Sequence, residues 1–245
     1  MTKANEYRTI LRQLDHWDAY LLQESGLPGP RGNIELAQVV ADEGDGALFQ
    51  RYITYTVEAA PVNSPYEFLV FCGIVGLGRL LAEGDTRQLP ILHRYASDPR
   101  WRVREAVAMA LQRLGDVNMD RLITAMREWS QGSPLEQRAV VAALCEPRLL
   151  KPAPAARAVL AILDQITASI EQVDQRRSDD FLALRKGLGY GWSVAVVARP
   201  AEGKALMEKW LAAPDKDIRW IMKQNLKKAR LARMDAAWVK TMSTR

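Results

Sequence analysis

The sequence predicts an all-α fold, an α-α superhelix of stacked helical hairpins. Three observations point to it. Apolar residues recur at spacings of three and four along most of the 245 residues, as amphipathic helices require. The period-two alternation that would mark strands is weak. Helix starts also recur at near-equal intervals: Ser64-Pro65-Tyr66-Glu67, Asp98-Pro99 34 residues later, and Ser133-Pro134-Leu135-Glu136 35 residues after that. A Ser or Asp side chain can accept from the free N–H groups of a first turn, and proline suits the first helical position. Glu67 and Glu136 are placed to reach back and complete a capping box. One hairpin per interval gives units at 64–97, 98–132 and 133–173, with a weaker one at 214–242, in a single domain over 1–245.

The elements follow in order. Tyr7, Ile10, Leu11, Leu14, Trp17 and Leu21 form one apolar stripe of a helix over 6–24. The segment Gly26 to Gly32, with three glycines and two prolines, cannot be helical. Asn33 caps a short helix that ends at Gly44-Asp45-Gly46, and a further helix covers 47–59. Gly84-Asp85, Gly115-Asp116 and Pro147 break the repeated region. Helices over 153–173, 179–198, 201–212, 217–230 and 233–242 complete the chain, punctuated by Pro200, Pro214 and the polar run 174–178.

Composition narrows the function classes. The richest apolar stretch, Phe68 to Leu81, is interrupted by Gly73, Gly76, Gly78 and Arg79, so no membrane span is expected. The first residues have no apolar leader core, and a cytoplasmic protein is expected. Cys72 and Cys145 sit in apolar helical patterns and read as buried small hydrophobes. No metal and no cofactor are expected. The net charge is −4 over residues 1–100, +2 over 101–198 and +7 over 199–245. A basic end of this kind suits an acidic partner or nucleic acid, or serves as a solubilising cap.

The 19 residues from Asp98 to Asp116 resemble a short HEAT repeat. Asp98 and Pro99 open the unit, Val103-Arg104 follow, and small Ala106 and Ala110 alternate with Val107, Leu111 and Leu114. Asp215-Lys216-Asp217-Ile218-Arg219-Trp220-Ile221 is similar to the same opening, with Ile218-Arg219 in the Val-Arg place, and departs from the pattern at Met222 to Asn225. The resemblance implies close helix stacking through the alanines and an Arg104 paired within the repeat array. Tetratricopeptide repeats have a compatible period, but their Trp, Leu-Gly, Tyr and Pro pattern is not visible.

Four groups of residues are candidates for binding or acid–base chemistry. Arg100, Trp101, Arg102 and Arg104, with Arg113, form a basic, aromatic helix end able to hold phosphates. Arg219, Lys223, Lys227 and Arg230 share one face of the expected 217–230 helix, beside Trp220, Lys228 and Arg233. The glycine-rich loop carries Arg31 as its one charge and could bind an anion through exposed N–H groups, although neither a preceding strand nor a following Lys-Ser/Thr makes it a phosphate loop. Asp15-His16-Trp17-Asp18 places carboxylates beside a histidine, but helical neighbours point apart, and the second histidine, His93, is distant in sequence. Each group also has a structural reading: repeat pairing, a solvated face, a connector, and polar residues around a core ring. Trp192 within Gly189-Tyr190-Gly191-Trp192 reads as a core ring.

No catalytic residue is expected, because no nucleophile, Cys-His or metal-ligand motif is present. The expected function is a non-enzymatic binding or scaffold module with a basic C-terminal surface, its ligand, a protein partner or nucleic acid, left open. The alternative is a nucleic-acid-binding protein or a DNA glycosylase, since the DNA alkylation-repair glycosylases are also HEAT-like stacks. That alternative rests on the fold resemblance and transfers no catalytic residue.

Overall fold

The computed structural model describes residues 2–244. Among them every regular element is helical. The all-α expectation therefore holds. The chain divides into two compact units, one ending at Val117 and the other beginning at Asn118.

The first unit contains α1 (Lys3–Leu11), α2 (Asp18–Glu24), α3 (Ile34–Glu43), α4 (Gly46–Ile53), α5 (Pro65–Ala82), α6 (Gln88–Tyr95) and α7 (Trp101–Val117). Helices alternate in their contacts: α1 lies on α3, α3 on α5, and α5 on α7. α5 is the hub, touching α2, α4 and α6 as well. It is long and apolar enough to cross a membrane, but 72% of it is buried inside the unit, which accounts for its composition. A Cβ on Gly78 would lie 2.4 Å from Ala110 Cα, so the glycine sets how closely α5 and α7 approach.

The second unit contains α8 (Met119–Trp129), α9 (Pro134–Leu144), α10 (Ala153–Ser169) with a 3-10 turn at Ile170–Gln172, α11 (Asp179–Ala198), α12 (Pro200–Leu211), α13 (Lys216–Leu226), α14 (Ala229–Met234) and α15 (Ala236–Ser243). α11 lies between α9 and α13, while α10 packs on α8, α9, α11 and α12. Trp192 is fully buried, and its indole N–H donates to Thr167 Oγ1 at 3.0 Å.

The helix starts behave as capping chemistry requires. Ser133 Oγ accepts from Glu136 N–H, and Glu136 Oε2 accepts from Ser133 N–H, a complete capping box. Ser64 caps Glu67 N–H, but Glu67 reaches one residue further back, to Asn63 N–H at 2.8 Å. Asn33 caps α3 as expected.

Several boundaries differ from the sequence expectation. The helix over 6–24 is two helices, because Trp17 turns back and its indole N–H donates to the Leu11 carbonyl at 2.8 Å. That bond satisfies a carbonyl freed at the end of α1. The 47–59 helix stops at Ile53. Gly115-Asp116 does not break α7, which runs on to Val117. The 217–230 helix ends at Leu226, and Arg230 belongs to α14.

Candidate functional site

The candidate arginines divide into those spent on the fold and those that reach the surface. Arg100 is 2% exposed and is clamped by Asp98 through Nε (2.9 Å) and Nη2 (2.8 Å). Its Nη1 donates to the carbonyls of Tyr55, Thr56 and Ala60. Burial opposes its charge, and Asp98 more than compensates, so its pKa rises. It ties α7 to the 55–60 segment and offers nothing to a ligand, which corrects its placement among the binding candidates.

Arg104 Nη1 donates to the carbonyls of Asp98 (2.6 Å) and Pro99 (3.1 Å), six and five residues earlier. Arg219 Nη1 donates to the carbonyls of Ala213 (2.9 Å) and Pro214 (2.7 Å), again six and five residues earlier. Both arginines close the loop that leads into their own helix. Arg113 donates to Asp42 at 2.8 Å and to Gln38, linking α7 to α3.

In the second unit, three cations lie over two rings. The Arg185 guanidinium lies 4.3 Å above the Trp220 ring and pairs with Asp217 at 2.5 Å. A Cβ on Gly189 would lie 3.3 Å from Trp220 Cζ3. One residue on, Tyr190 is 48% exposed. Lys228 Nζ and the Arg230 guanidinium lie 5.5 and 4.7 Å from its ring centre, and Arg230 Nη2 donates to its hydroxyl at 2.5 Å. Lys223 is exposed three residues after Trp220, on its side of α13, and Lys227 is exposed at the helix's C-cap. Lys186 is exposed four residues before Tyr190 on α11. Among the described residues, Lys186, Lys223, Lys227, Lys228 and Arg230 have no carboxylate partner. The end of α13 breaks the continuous row of 219, 223, 227 and 230, but Arg230 rejoins the others through Tyr190.

The sequence had not pointed to Arg185, Lys186 or Tyr190. The Gly-Tyr-Gly-Trp segment was legible as close packing about Trp192, and Tyr190 occupies the opposite, solvent side of that segment. A helical count from Trp192 would have separated them.

The first unit brings two other candidates together. The 26–32 loop roofs a cleft of about 200 Å³. Phe68 and Phe71, stacked at 6.3 Å, line it with Ile34 and Met109. Arg31 and Trp101 stand at its edge, and Trp101 is 45% exposed with the Arg102 guanidinium 4.3 Å from its ring centre. Arg102 also lines the cleft, its side chain 7% exposed. Its Nη2 donates to the Gly29 carbonyl at 2.6 Å and its Nη1 to Glu67 Oε2 at 3.4 Å. Arg102 Nε and Glu67 Oε1 have no hydrogen-bond partner. The loop is fixed from a second side, since Gly29 N–H donates to Asn63 Oδ1 at 3.1 Å. Gly26 enters it at φ +70°, where a Cβ would also meet the Arg31 carbonyl at 2.8 Å.

Burial pushes the Cys145 thiol up to about 12 and Cys72 well above its usual value, so neither supplies a thiolate near neutral pH. Asp15 and His16 are exposed, while Asp18 turns away to Arg51 and the Tyr52 hydroxyl. Among the described residues, no three His, Cys, Asp or Glu side chains are grouped to hold a metal ion. No protein-family model matches the chain, and comparison with the curated proteins and with the solved structures finds no match.

Proposed function

We propose that the chain is a non-enzymatic binding module of HEAT-like hairpins, and that the α11–α13–α14 face of its second unit holds an acidic polypeptide segment. The carrying observation is Lys228 and Arg230 over the exposed Tyr190 ring, with Lys186, Lys223 and Lys227 exposed at neighbouring helical positions and no carboxylate partner for any of the five among the described residues. Like charges so placed repel one another, and an acidic partner relieves that repulsion. The rings already carry Arg185, Lys228 and Arg230 over them, which favours recognition of carboxylates over stacking of bases.

Two observations support the HEAT-like part. Alternate helices are neighbours within each unit. Arg104 and Arg219 make the same pair of carbonyl contacts at the same offsets, as equivalent positions in two repeats would.

A labelled oligoglutamate peptide tests the proposal by fluorescence anisotropy, beside an uncharged peptide and single- and double-stranded DNA. The acidic peptide binds, and its affinity falls as salt rises past about 0.1 M, where the Debye length nears 10 Å. Combined Lys223→Glu, Lys227→Glu and Lys228→Glu substitutions weaken it by roughly tenfold or more. Unchanged binding by that variant rejects the surface. Tighter binding of DNA than of the peptide transfers the face to nucleic acid, and release of methylated bases from duplex DNA makes the chain an enzyme.

A further inference from the structure

We propose that the cleft beneath the 26–32 loop is a binding site for a small aromatic carboxylate, with the ring inside and the carboxylate at the mouth. The site is independent of the basic face in the second unit.

Size sets the body of the ligand. A cavity of roughly 150 Å³ lined by apolar side chains accepts benzene. At about 200 Å³, this cleft takes one ring and a short chain. Its interior is supplied by Phe68, Phe71, Ile34 and Met109, which offer ring and aliphatic contacts and no hydrogen bonds.

Arg31 sets the polar end. Arg102 is buried and spends its terminal N–H groups on the Gly29 carbonyl and Glu67, so it fixes the wall of the cleft. Arg31 at the mouth is exposed, and among the described residues its side chain has no hydrogen bond or ion pair. The sign of the charge follows from the one exposed cation at the cleft. Arg102 pairs with Glu67 and Glu105 has a contact within the protein, whereas the exposed Arg31 has no ion pair among the described residues. One anionic group completes the site. Guanidinium groups recognise carboxylates through paired N–H donors, which favours a carboxylate.

The cleft is also preformed. Arg102 and Asn63 grip the Gly29 carbonyl and N–H, so the roof needs no ordering when a ligand enters.

Isothermal titration of the full chain with 3-phenylpropionate, its neutral amide and 3-phenylpropylamine tests the assignment. The carboxylate binds, the amide binds roughly tenfold more weakly, and the amine no better than the amide. Arg31→Gln lowers affinity for the carboxylate to that for the amide and leaves the amide unchanged. Met109→Trp fills the cleft and removes binding of both, while circular dichroism shows a retained helical fold. Absence of binding to the wild-type chain at millimolar concentration overturns the proposal. So does equal affinity for carboxylate and amide, a preference for the amine, or carboxylate binding indifferent to Arg31→Gln.

Discussion

Asn225 shows how one polar side chain can hold two helices. It is fully buried in α13. Its Oδ1 accepts from Ser193 N–H at 2.8 Å, and its Nδ2 donates to the carbonyls of Leu188 (2.9 Å) and Ile221 (2.8 Å). Aligned on Arg104 and Arg219, Asn225 falls where Ala110 stands in α7. A polar residue stands at the offset where α7 has a small one, and its partners lie on α11. Spacing along the chain could not reveal partners more than thirty residues away. Asn225→Leu would leave the Ser193 N–H and the Leu188 carbonyl buried without their partner. We expect a loss of about 3 kcal/mol, read as a lower urea midpoint at unchanged slope. A midpoint within error of the wild type would show that α11 satisfies those groups by itself.

At the scale of the elements, what the sequence discloses is the start of a helix and its buried side. Ser64, Asn33 and Ser133 cap the helices that their positions predict, because a cap depends on residues three apart. The endings are less legible. No proline or glycine lies between Asp215 and Asp235, yet α13 stops at Leu226. The chain turns there and buries Leu231 in α14, which packs on α11. That tertiary gain overrides local propensity. The same turn brings Lys228 and Arg230 to Tyr190, so the candidate face is only half visible in the spacing of its lysines. Close approach was more legible: the small-residue pattern of α7 includes Ala110, which meets Gly78 of α5. Gly78→Ala adds a methyl group 2.4 Å from a backbone atom that cannot rotate away. Helix propensity favours alanine by up to about 1 kcal/mol, and overpacking opposes it by about 1–3 kcal/mol. The net expectation is a less stable protein. Because Ala110 Cα itself is the obstacle, adding Ala110→Gly does not restore the thermal midpoint. Full restoration would mean that the Ala110 methyl group alone sets the helix separation.

For the whole molecule, the division into units is also a division of charge. The part ending at Val117 has 12 Lys+Arg and 15 Asp+Glu, and the part beginning at Asn118 has 22 and 14. The second unit therefore carries its excess of cations on a fold that depends on carboxylates to offset them. Arg199 and Arg157 hold Glu202 down at about 2. Lys204 and the Trp238 N–H hold Asp235 below the usual carboxylate range. Burial works against the charge of Asp215, but the ion pair with Arg176 and two backbone N–H groups outweigh it and lower its pKa. In the first unit Asp18 is lowered by Arg51 against the pull of burial, and Glu43 by Arg12 and Arg8. A carboxylate whose pKa is depressed on folding stabilises the native state above its unfolded pKa, and that contribution fades as pH falls through the folded value. Unfolded carboxylates titrate near pH 4, so stability should hold level from pH 7 to about 5 and decline below roughly pH 4. Protonation in that window also leaves the lysines of the second unit with fewer anions to offset them, and self-repulsion adds to the loss. The check is the thermal midpoint followed by circular dichroism from neutral pH to about pH 2, at low and high salt. A steep fall below pH 4, softened by salt, is expected. A midpoint that stays level to about pH 2 would mean that these ion pairs add nothing to folding beyond their appearance in the structure.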